Sequence, residues 1–424
     1  MGDEKRQKPP QGAVNWEAEV KPRGPGARAD LPIATLQPES PMFSETLMEE
    51  ICERSNLRAA LPRVRANQGS PGIDNMTVDE LPGFLQAPWP ALKEQLRTGR
   101  YHPKPVKRVE IPKPGSQEKR QLGISCVVDR FIQQAVLPGL QRRWDATFSE
   151  HSYGFRPGRS AQQAGAKAQA DLPQGYAYVV AIDLERFFDR VCYDRLRSKL
   201  AERIADKRVL KLLRAYLQAG ILEDGLVRVP REGTPQGGPV SPFLSKVVVD
   251  ESDKEVERRG HRFVRYADDA NIYGKSERAG LRVRERVSHF LWQRLKRRVN
   301  WAKSAVGKPQ NRKFLGFTCT GGQHPNRRKV APAALARFKA RVRRITRRTW
   351  GISLDDRIKY LANYLVGWRA YFGYCETPSV LRDLDSWIRR RLRCVQWQQW
   401  KVYKRRKAAL IRLGVKEELA ATTA

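Results

Sequence analysis

Acidic residues are scarce in this chain: 45 Asp plus Glu face 81 Lys plus Arg, so its 424 residues carry a formal charge of +36 at pH 7. An excess of that size repels itself and argues against a basic partner, whereas it suits a polyanion. Long apolar runs are lacking too. No stretch approaches the roughly 20 apolar residues that a membrane span needs, so nucleic acid is favoured over a membrane as the partner. The start, MGDEKRQKPP, has no apolar segment of the secretory kind, and Arg6 stands where a myristoylation motif has Ser or Thr. The expected location is the cell interior. Paired cysteines are also missing. Cys52, Cys126, Cys192, Cys319, Cys375 and Cys394 stand singly, with no CxxC and no neighbouring histidine pair. That spacing argues against a disulfide framework and against a zinc site. The thiols are expected to be buried or inert, and any metal in the chemistry must be a hard ion held by oxygen.

What is present divides the chain. Residues 1–42, with QKPPQG and KPRGPGARAD, have little apolar periodicity and read as a flexible extension. Residues 43–175 alternate helical stretches with Gly-containing loops, and RVEIPKPGSQEKRQLGI reads as two short strands joined by a basic turn. In 176–320, YAYVVAIDLERFF opens as a buried strand, and a long amphipathic helical stretch from about Tyr193 to Gln218 follows. The turn GTPQGGPVSP then leads into a second helix, and HRFVRYADDANIYGKS gives two strands meeting near paired aspartates. Residues 321–410 are expected to form a basic helical bundle, with 411–424 as a tail. From 321 onward there are 25 Lys plus Arg against 7 Asp plus Glu, half of the whole excess. Ile358, Leu361, Leu365, Trp368 and Phe372 recur at helical spacing, as do Leu381, Leu384, Ile388, Leu392 and Val395. Ser353 is the expected N-cap of the first helix, and Thr377 before Pro378 that of the second. The fold class is α+β.

Asp268 and Asp269 in RYADDANI repel each other if they face a common point. Asp183 lies at the end of the strand AYVVAIDL, and strand ends of one sheet can converge. Three carboxylates at one edge form an oxygen-only site for two Mg²⁺ ions about 3.5–4 Å apart, with Mn²⁺ as a substitute, suited to in-line phosphoryl transfer. Alone, the Asp-Asp tetrapeptide is no more than an ordinary hairpin turn. Its order with the basic turn, the strand ending in Asp and the Gly-rich turn gives it weight.

In that order the chain resembles the reverse transcriptases encoded by bacterial group II introns, from about residue 55 to about 400. The resemblance rests on RANQGSPGIDNMTVDEL, HSYGFRPGRSAQQA, AIDLERFFDRV, GTPQGGPVSPFLS, RYADD, VNWAKSAVGKP and RKFLGF. It implies a right-hand polymerase with fingers at 43–175, an antiparallel palm with helices on one face at 176–320, and a helical thumb or maturase region at 321–410. Asp183, Asp268, Asp269 and the carbonyl of Leu184 are then the metal ligands. Lys113 and Arg120 would contact the triphosphate, Phe188 would sit under the incoming sugar, Gln236 and Gly237 would lie beneath the nucleotide, and Lys303 would assist departure of pyrophosphate. Either Phe187 or Phe188 must face the core; the family pattern picks Phe188. Arg341, Arg343, Arg344, Arg347, Arg348 and Arg389, Arg390, Arg391 are expected to line a groove for RNA. The aromatics Trp368, Tyr371, Phe372 and Trp387 are expected to be core rather than stacking platforms.

The implied partners are an RNA template, in particular a parent group II intron RNA, a DNA or RNA primer with a 3′-hydroxyl, dNTPs and a DNA target, in a bacterial cytoplasm with nucleoid association during insertion. Oligomeric state is left open. Departures from the pattern include Ser125 and Cys126 where Pro-Thr is common, Cys192 and Tyr193 where Asn-His is frequent, and Lys246 where Asn is usual. The tail lacks the Cys-pair and histidine pattern of an endonuclease domain, so the primer is expected to be an existing 3′ end. Two other readings stand beside this one: a splicing maturase with vestigial polymerase, and a polymerase recruited to host repair or defence. Phe188→Ala is expected to loosen sugar discrimination; competition between dNTP and rNTP incorporation measures it, and an unchanged preference for dNTPs would remove the gate from Phe188.

Overall fold

The computed structural model describes residues 45–112, 119–185, 191–223, 226–228, 237–323 and 325–424. The expected extension, 1–42, lies outside them. Four helices open the described chain: α1 (Leu47–Ile51), α2 (Arg54–Ala66), α3 (Leu81–Gln86) and α4 (Trp89–Arg97). β1 (Val106–Pro112) and β2 (Lys119–Ile124) form the expected antiparallel pair, and α5 (Val127–Trp144) follows. α5 is buried on nearly every side, Asp129, Gln133 and Gln134 included, and its apolar residues belong to the first core with those of α1 to α4. α6 (Ala161–Ala170) starts at a capping box in which Ser160 and Gln163 satisfy each other's backbone N–H.

β3 (Tyr178–Ile182) is the strand expected from AYVVAIDL. The stretch expected as one long helix is two, α7 (Tyr193–Ala201) and α8 (Lys207–Gln218). Asp206 causes the break: its carboxylate accepts from the Arg208 backbone N–H at 3.0 Å, capping α8, and from that of Met48 at 2.9 Å, tying the break to α1. β4 (Ile221–Glu223) and β5 (Leu226–Arg228) extend the β1–β2 sheet, with β4 parallel to β1.

α9 (Ser241–Arg258), β6 (Phe263–Tyr266), β7 (Asp269–Gly274), α10 (Glu277–Leu295) and β8 (Ala305–Gly307) complete the second unit. Its sheet runs β6-β7-β3-β8 and is antiparallel throughout. Strand alternation sorts its side chains by face. Val180, Ile182, Ala270, Ile272 and Phe263 pack on α9 and α10, while Val179, Tyr273 and Val264 face Tyr153, Leu172 and Ala164 of α6. α9 joins the cores, since Val247 and Val248 belong to the first and Val249 and Val256 to the second. It also carries a buried ion pair: Asp253 accepts from Arg265 of β6, whose guanidinium reaches the Ser252 hydroxyl as well.

The hairpin of β9 (Phe317–Cys319) and β10 (Arg328–Val330) leads to α11 (Pro332–Ile345), α12 (Leu354–Phe372) and α13 (Pro378–Trp400), followed by α14 (Tyr403–Arg412) and α15 (Glu417–Thr423). Ser353 caps α12 as expected, accepting from the Asp356 N–H at 3.1 Å. Thr377 does not cap α13: its backbone, at φ −117° and ψ 76°, is not in the extended conformation that aims a cap oxygen inward, and its hydroxyl makes no capping bond. Leu361, Leu384 and Ile388 enter the bundle core with Phe338 and Val342, whereas Ile358, expected there, is exposed. Trp368 and Trp387 pack against this core, and Tyr371 and Phe372 lie against Phe317 at 6.1 and 5.3 Å between ring centroids, so all four aromatics are packed.

Asp253 and Arg265 are 1% and 5% exposed. Removing one member strands a buried charge, so Asp253→Ala is expected to cost about 3–5 kcal/mol, while replacing both by apolar residues of similar volume costs much less. The urea midpoints of the single and double variants measure the difference.

Candidate active site

The site is set by strand register. Tyr266 pairs with Asp269 across the β6–β7 turn, and Ile182 of β3 pairs with Ala270 of β7. One residue further along, Asp183 stands across from Asp269. Residues directly opposite in an antiparallel pair share a face, with Cβ atoms about 4.5–5.5 Å apart, so the ladder itself sets these two carboxylates side by side. Asp268 occupies the turn between the strands. Ala267, before it, has φ 58°, a left-handed conformation that costs a side-chain-bearing residue energy and recurs at functional turns.

Asp183 is held by its backbone. Its N–H donates to the Ser304 hydroxyl at 2.9 Å, and its carbonyl accepts from the Asn300 N–H at 2.9 Å. Leu184, buried at 5% exposure, bridges to Val299, and the Glu185 N–H donates to the Arg298 carbonyl at 3.0 Å. The stretch 298–304 thus clamps the end of β3. Lys303 belongs to it, and its ammonium lies 3.9 Å from the Asp183 carboxylate.

Burial raises the Asp269 carboxyl to about 6, and the neighbouring charges of Asp268 and Asp183 add to the rise; Lys313 and Lys303 oppose it. Asp269 is itself exposed, so solvent screens its carboxyl. The side chains are not closed around an ion: among the described residues no group of three or more Asp, Glu, His or Cys is gathered tightly enough to hold one. The fit lies in the backbone and in the donor type. Oxygen ligands of like charge, brought to one edge by register, suit hard divalent cations, which relieve their repulsion.

The other expected residues are placed unevenly. Lys113, Phe187, Phe188 and Gln236 lie outside the described residues; Arg120 is on β2, its backbone paired with Ile111. Gly237 has φ 140°, and a Cβ there would come within 2.5 Å of the Gly123 carbonyl oxygen, so it permits a close approach of the Gly-rich turn to β2. Arg341, Arg343, Arg344, Arg347, Arg348, Arg389 and Arg390 are exposed. Arg391 is engaged inside the bundle, donating to the Thr346 hydroxyl and carbonyl, and Arg389 pairs with Asp385. The supports of the turn were missed. Arg265, Asn300 and Ser304 stood in the quoted motifs, but nothing in one sequence pairs Arg265 with Asp253 or the 298–304 stretch with the end of β3.

A reverse transcriptase (RNA-dependent DNA polymerase) family profile matches residues 111–319, enclosing all three carboxylates, and a group II intron, maturase-specific domain profile matches residues 335–413. The chain belongs to the group II intron reverse transcriptase and maturase family. Protein YkfC of Escherichia coli (strain K12) is 35% identical over 194 residues, 45% of this chain and 51% of that protein. Group II intron-encoded protein LtrA of Lactococcus lactis subsp. cremoris is 32% identical over 208 residues, 49% of this chain and 34% of that protein. The matched region thus spans about half of the first relative's length and about a third of the second's. A chain of a partial Cas6-RT-Cas1–Cas2 complex is 26% identical over 58% of this chain and 42% of that chain, with a TM-score of 0.37, too loose a superposition to carry an argument. The fold is that of a right-hand polymerase, an α+β chain ending in a helical region, and the reverse transcriptase family uses divalent metal ions. No helix among the described residues is long and apolar enough to cross a membrane.

The raised Asp269 carboxyl has a thermodynamic sign. The folded protein holds this proton more tightly than the unfolded chain does, so stability falls as pH rises from about 4 through about 6, and the whole penalty stands at pH 7. After solvent screening it amounts to about 1 kcal/mol. Asp269→Asn is therefore expected to raise the Tm of metal-free protein by about 1–3 °C at pH 7.5 and to leave it unchanged near pH 4. Millimolar Mg²⁺ should raise the wild-type Tm more than that of the variant; thermal melts with chelator and with Mg²⁺ check both.

Proposed function

We propose that the chain is an RNA-directed DNA polymerase that extends a 3′-hydroxyl primer along an RNA template using dNTPs, and that it also binds its parent group II intron RNA as a splicing maturase and supports insertion of the intron into DNA. The observation that carries the reading is the register that sets Asp183 opposite Asp269, with Asp268 in the adjoining turn. A pure RNA binder gains nothing from three converging acids in a chain of charge +36.

Asp183, Asp268 and Asp269, with the Leu184 carbonyl, would hold two Mg²⁺ ions, or Mn²⁺ in their place. When bound, the ions supply charge neutralisation and lower the pKa of the attacking hydroxyl. The chain's own contribution is position. The clamp at 298–304 fixes Asp183, and the buried Arg265–Asp253 pair ties β6, and with it the turn, to α9. Lys113 and Arg120 on the basic hairpin would orient the triphosphate, Gln236 and Gly237 would lie beneath the nucleotide, and Phe188 would exclude a 2′-hydroxyl. Lys303 would assist the leaving pyrophosphate; its ammonium beside Asp183 supports that role.

In this assignment 43–175 are fingers, 176–320 palm and 321–410 thumb, after an extension at 1–42 and before a tail at 411–424. The exposed arginines of α11 and α13 would follow an RNA backbone. A bacterial cytoplasmic protein, nucleoid-associated during DNA insertion, is the matching setting.

The test is Mg²⁺-dependent dNTP incorporation on an RNA template with a DNA primer. Wild type is expected to extend the primer, and Asp268→Asn, nearly isosteric but short of one ligand charge, to lose at least a hundredfold in rate. A folded wild type that binds RNA but incorporates nothing would leave the maturase role alone.

A further inference from the structure

Lys246 departs from the family's usual Asn and lies in the interior, 5% exposed, on α9. Its ammonium donates to the Ser152 hydroxyl at 3.1 Å and to the Gly154 carbonyl at 3.2 Å, and stands 4.7 Å from the centre of the Phe148 ring. A buried lysine is expensive to keep. Burial, helped by the nearby Arg156 guanidinium, lowers its pKa to about 7, and the free volume beside it is only about 10 Å³, at the lower limit for one water to replace its contacts.

Its two partners belong to a segment that touches the carboxylate turn. Ser152 bridges to Arg265 of β6 in parallel fashion, the Tyr153 N–H donates to the Arg265 carbonyl at 2.9 Å, and the Arg265 N–H donates to the His151 carbonyl at 2.8 Å. This segment therefore acts as an added edge on the sheet beside β6. Gly154 follows, so close to the turn that a Cβ there would overlap the backbone nitrogen of Ala267. Ala267 is the left-handed residue immediately before Asp268. Arg156 braces the same segment, donating to the Ser149 and Ser152 carbonyls and to the Asp145 carboxylate.

We propose that Lys246 is a positioning residue for the carboxylate site: by gripping Ser152 and Gly154 it sets how far the 151–154 segment presses on Ala267, and so where Asp268 and Asp269 sit relative to Asp183. The role rests on the proposed polymerase function. α9 then locates the turn through two independent buried contacts, Asp253 to Arg265 and Lys246 to Gly154. The first fixes β6 and the second fixes the wedge against the turn.

The test uses the full chain with Lys246→Met, close in shape but without the ammonium, and Gly154→Ala, which disturbs the same wedge and leaves Lys246 intact. Three readouts are taken: amide hydrogen exchange, Mn²⁺ affinity by electron paramagnetic resonance, and kcat against KM for primer extension. For both variants the expected result is faster exchange in 150–156 and 263–270 with unchanged exchange in α2, Mn²⁺ affinity lowered about tenfold, and kcat lowered about ten- to a hundredfold with KM for template–primer unchanged. A Lys246→Met protein that melts earlier but keeps wild-type Mn²⁺ affinity, local exchange and kcat at a permissive temperature would make Lys246 a purely structural residue and overturn the proposal. If wild type incorporates no dNTP, that result counts against the polymerase reading alone, because exchange and Mn²⁺ affinity still decide the positioning role. Should Lys246→Met not fold, Ser152→Ala, which removes one of the two acceptors holding the ammonium, decides it by the same readouts.

Discussion

Carboxylates brought together at one edge of a sheet push each other apart, and much of the surrounding architecture counters that repulsion. Asp183 and Asp269 are neighbours because β3 and β7 pair antiparallel, and a ladder of backbone hydrogen bonds resists a force that side chains alone could not. Around the ladder lie the 298–304 clamp on Asp183, the buried Arg265–Asp253 pair and the 151–154 segment pressed against Ala267. The raised carboxyl of Asp269 reflects burial first and the repulsion of Asp268 and Asp183 second.

The same economy of charge runs through the rest of the chain. A protein at +36 has cations to spare, yet several are used internally. Arg357 is 1% exposed and donates to the Ile345 and Arg347 carbonyls, closing the C-terminal end of α11, where a positive charge also complements the helix dipole. Arg391 ties α13 to the same corner through Thr346. Of the arginines that remain exposed, Arg343 lies over the Trp387 ring and Arg389 pairs with Asp385 at the surface, and their exposure suits contact with a polyanion. Abundance of arginine in the sequence therefore overstates the nucleic-acid surface, because some of it replaces the hydrogen bonds that helix ends lack.

The parts of the fold that announce themselves in sequence are those governed by local periodicity. The buried strand in AYVVAI, the two strands in HRFVRYADDANIYGKS and the cap at Ser353 were all legible, because each depends on residues within a few positions of one another. The break between α7 and α8 was not, since Asp206 interrupts an amphipathic stretch of uniform period and its reason for doing so includes the Met48 N–H far away in the chain. β8, three residues long, forms only because β3 offers it an edge. At the site, the three acids were legible through motif order, whereas what holds them was not. Lys246 stood out only as an unusual letter; its meaning lies in contacts to Ser152 and Gly154 across more than 90 residues. Long-range buried polar contacts have no period, and a single sequence records neither partner.

α9 contributes Val247 and Val248 to one core and Val249 and Val256 to the other. Adjacent residues on a helix point about 100° apart, so three consecutive valines are enough to seal both sides at once. The helix is thus a party wall: neither core can open without exposing apolar surface that belongs to the other's boundary. Unfolding of the first core and of the four-stranded sheet is thereby linked into one cooperative event, and the carboxylate edge inherits the stability of a hydrophobic interior much larger than its own four strands.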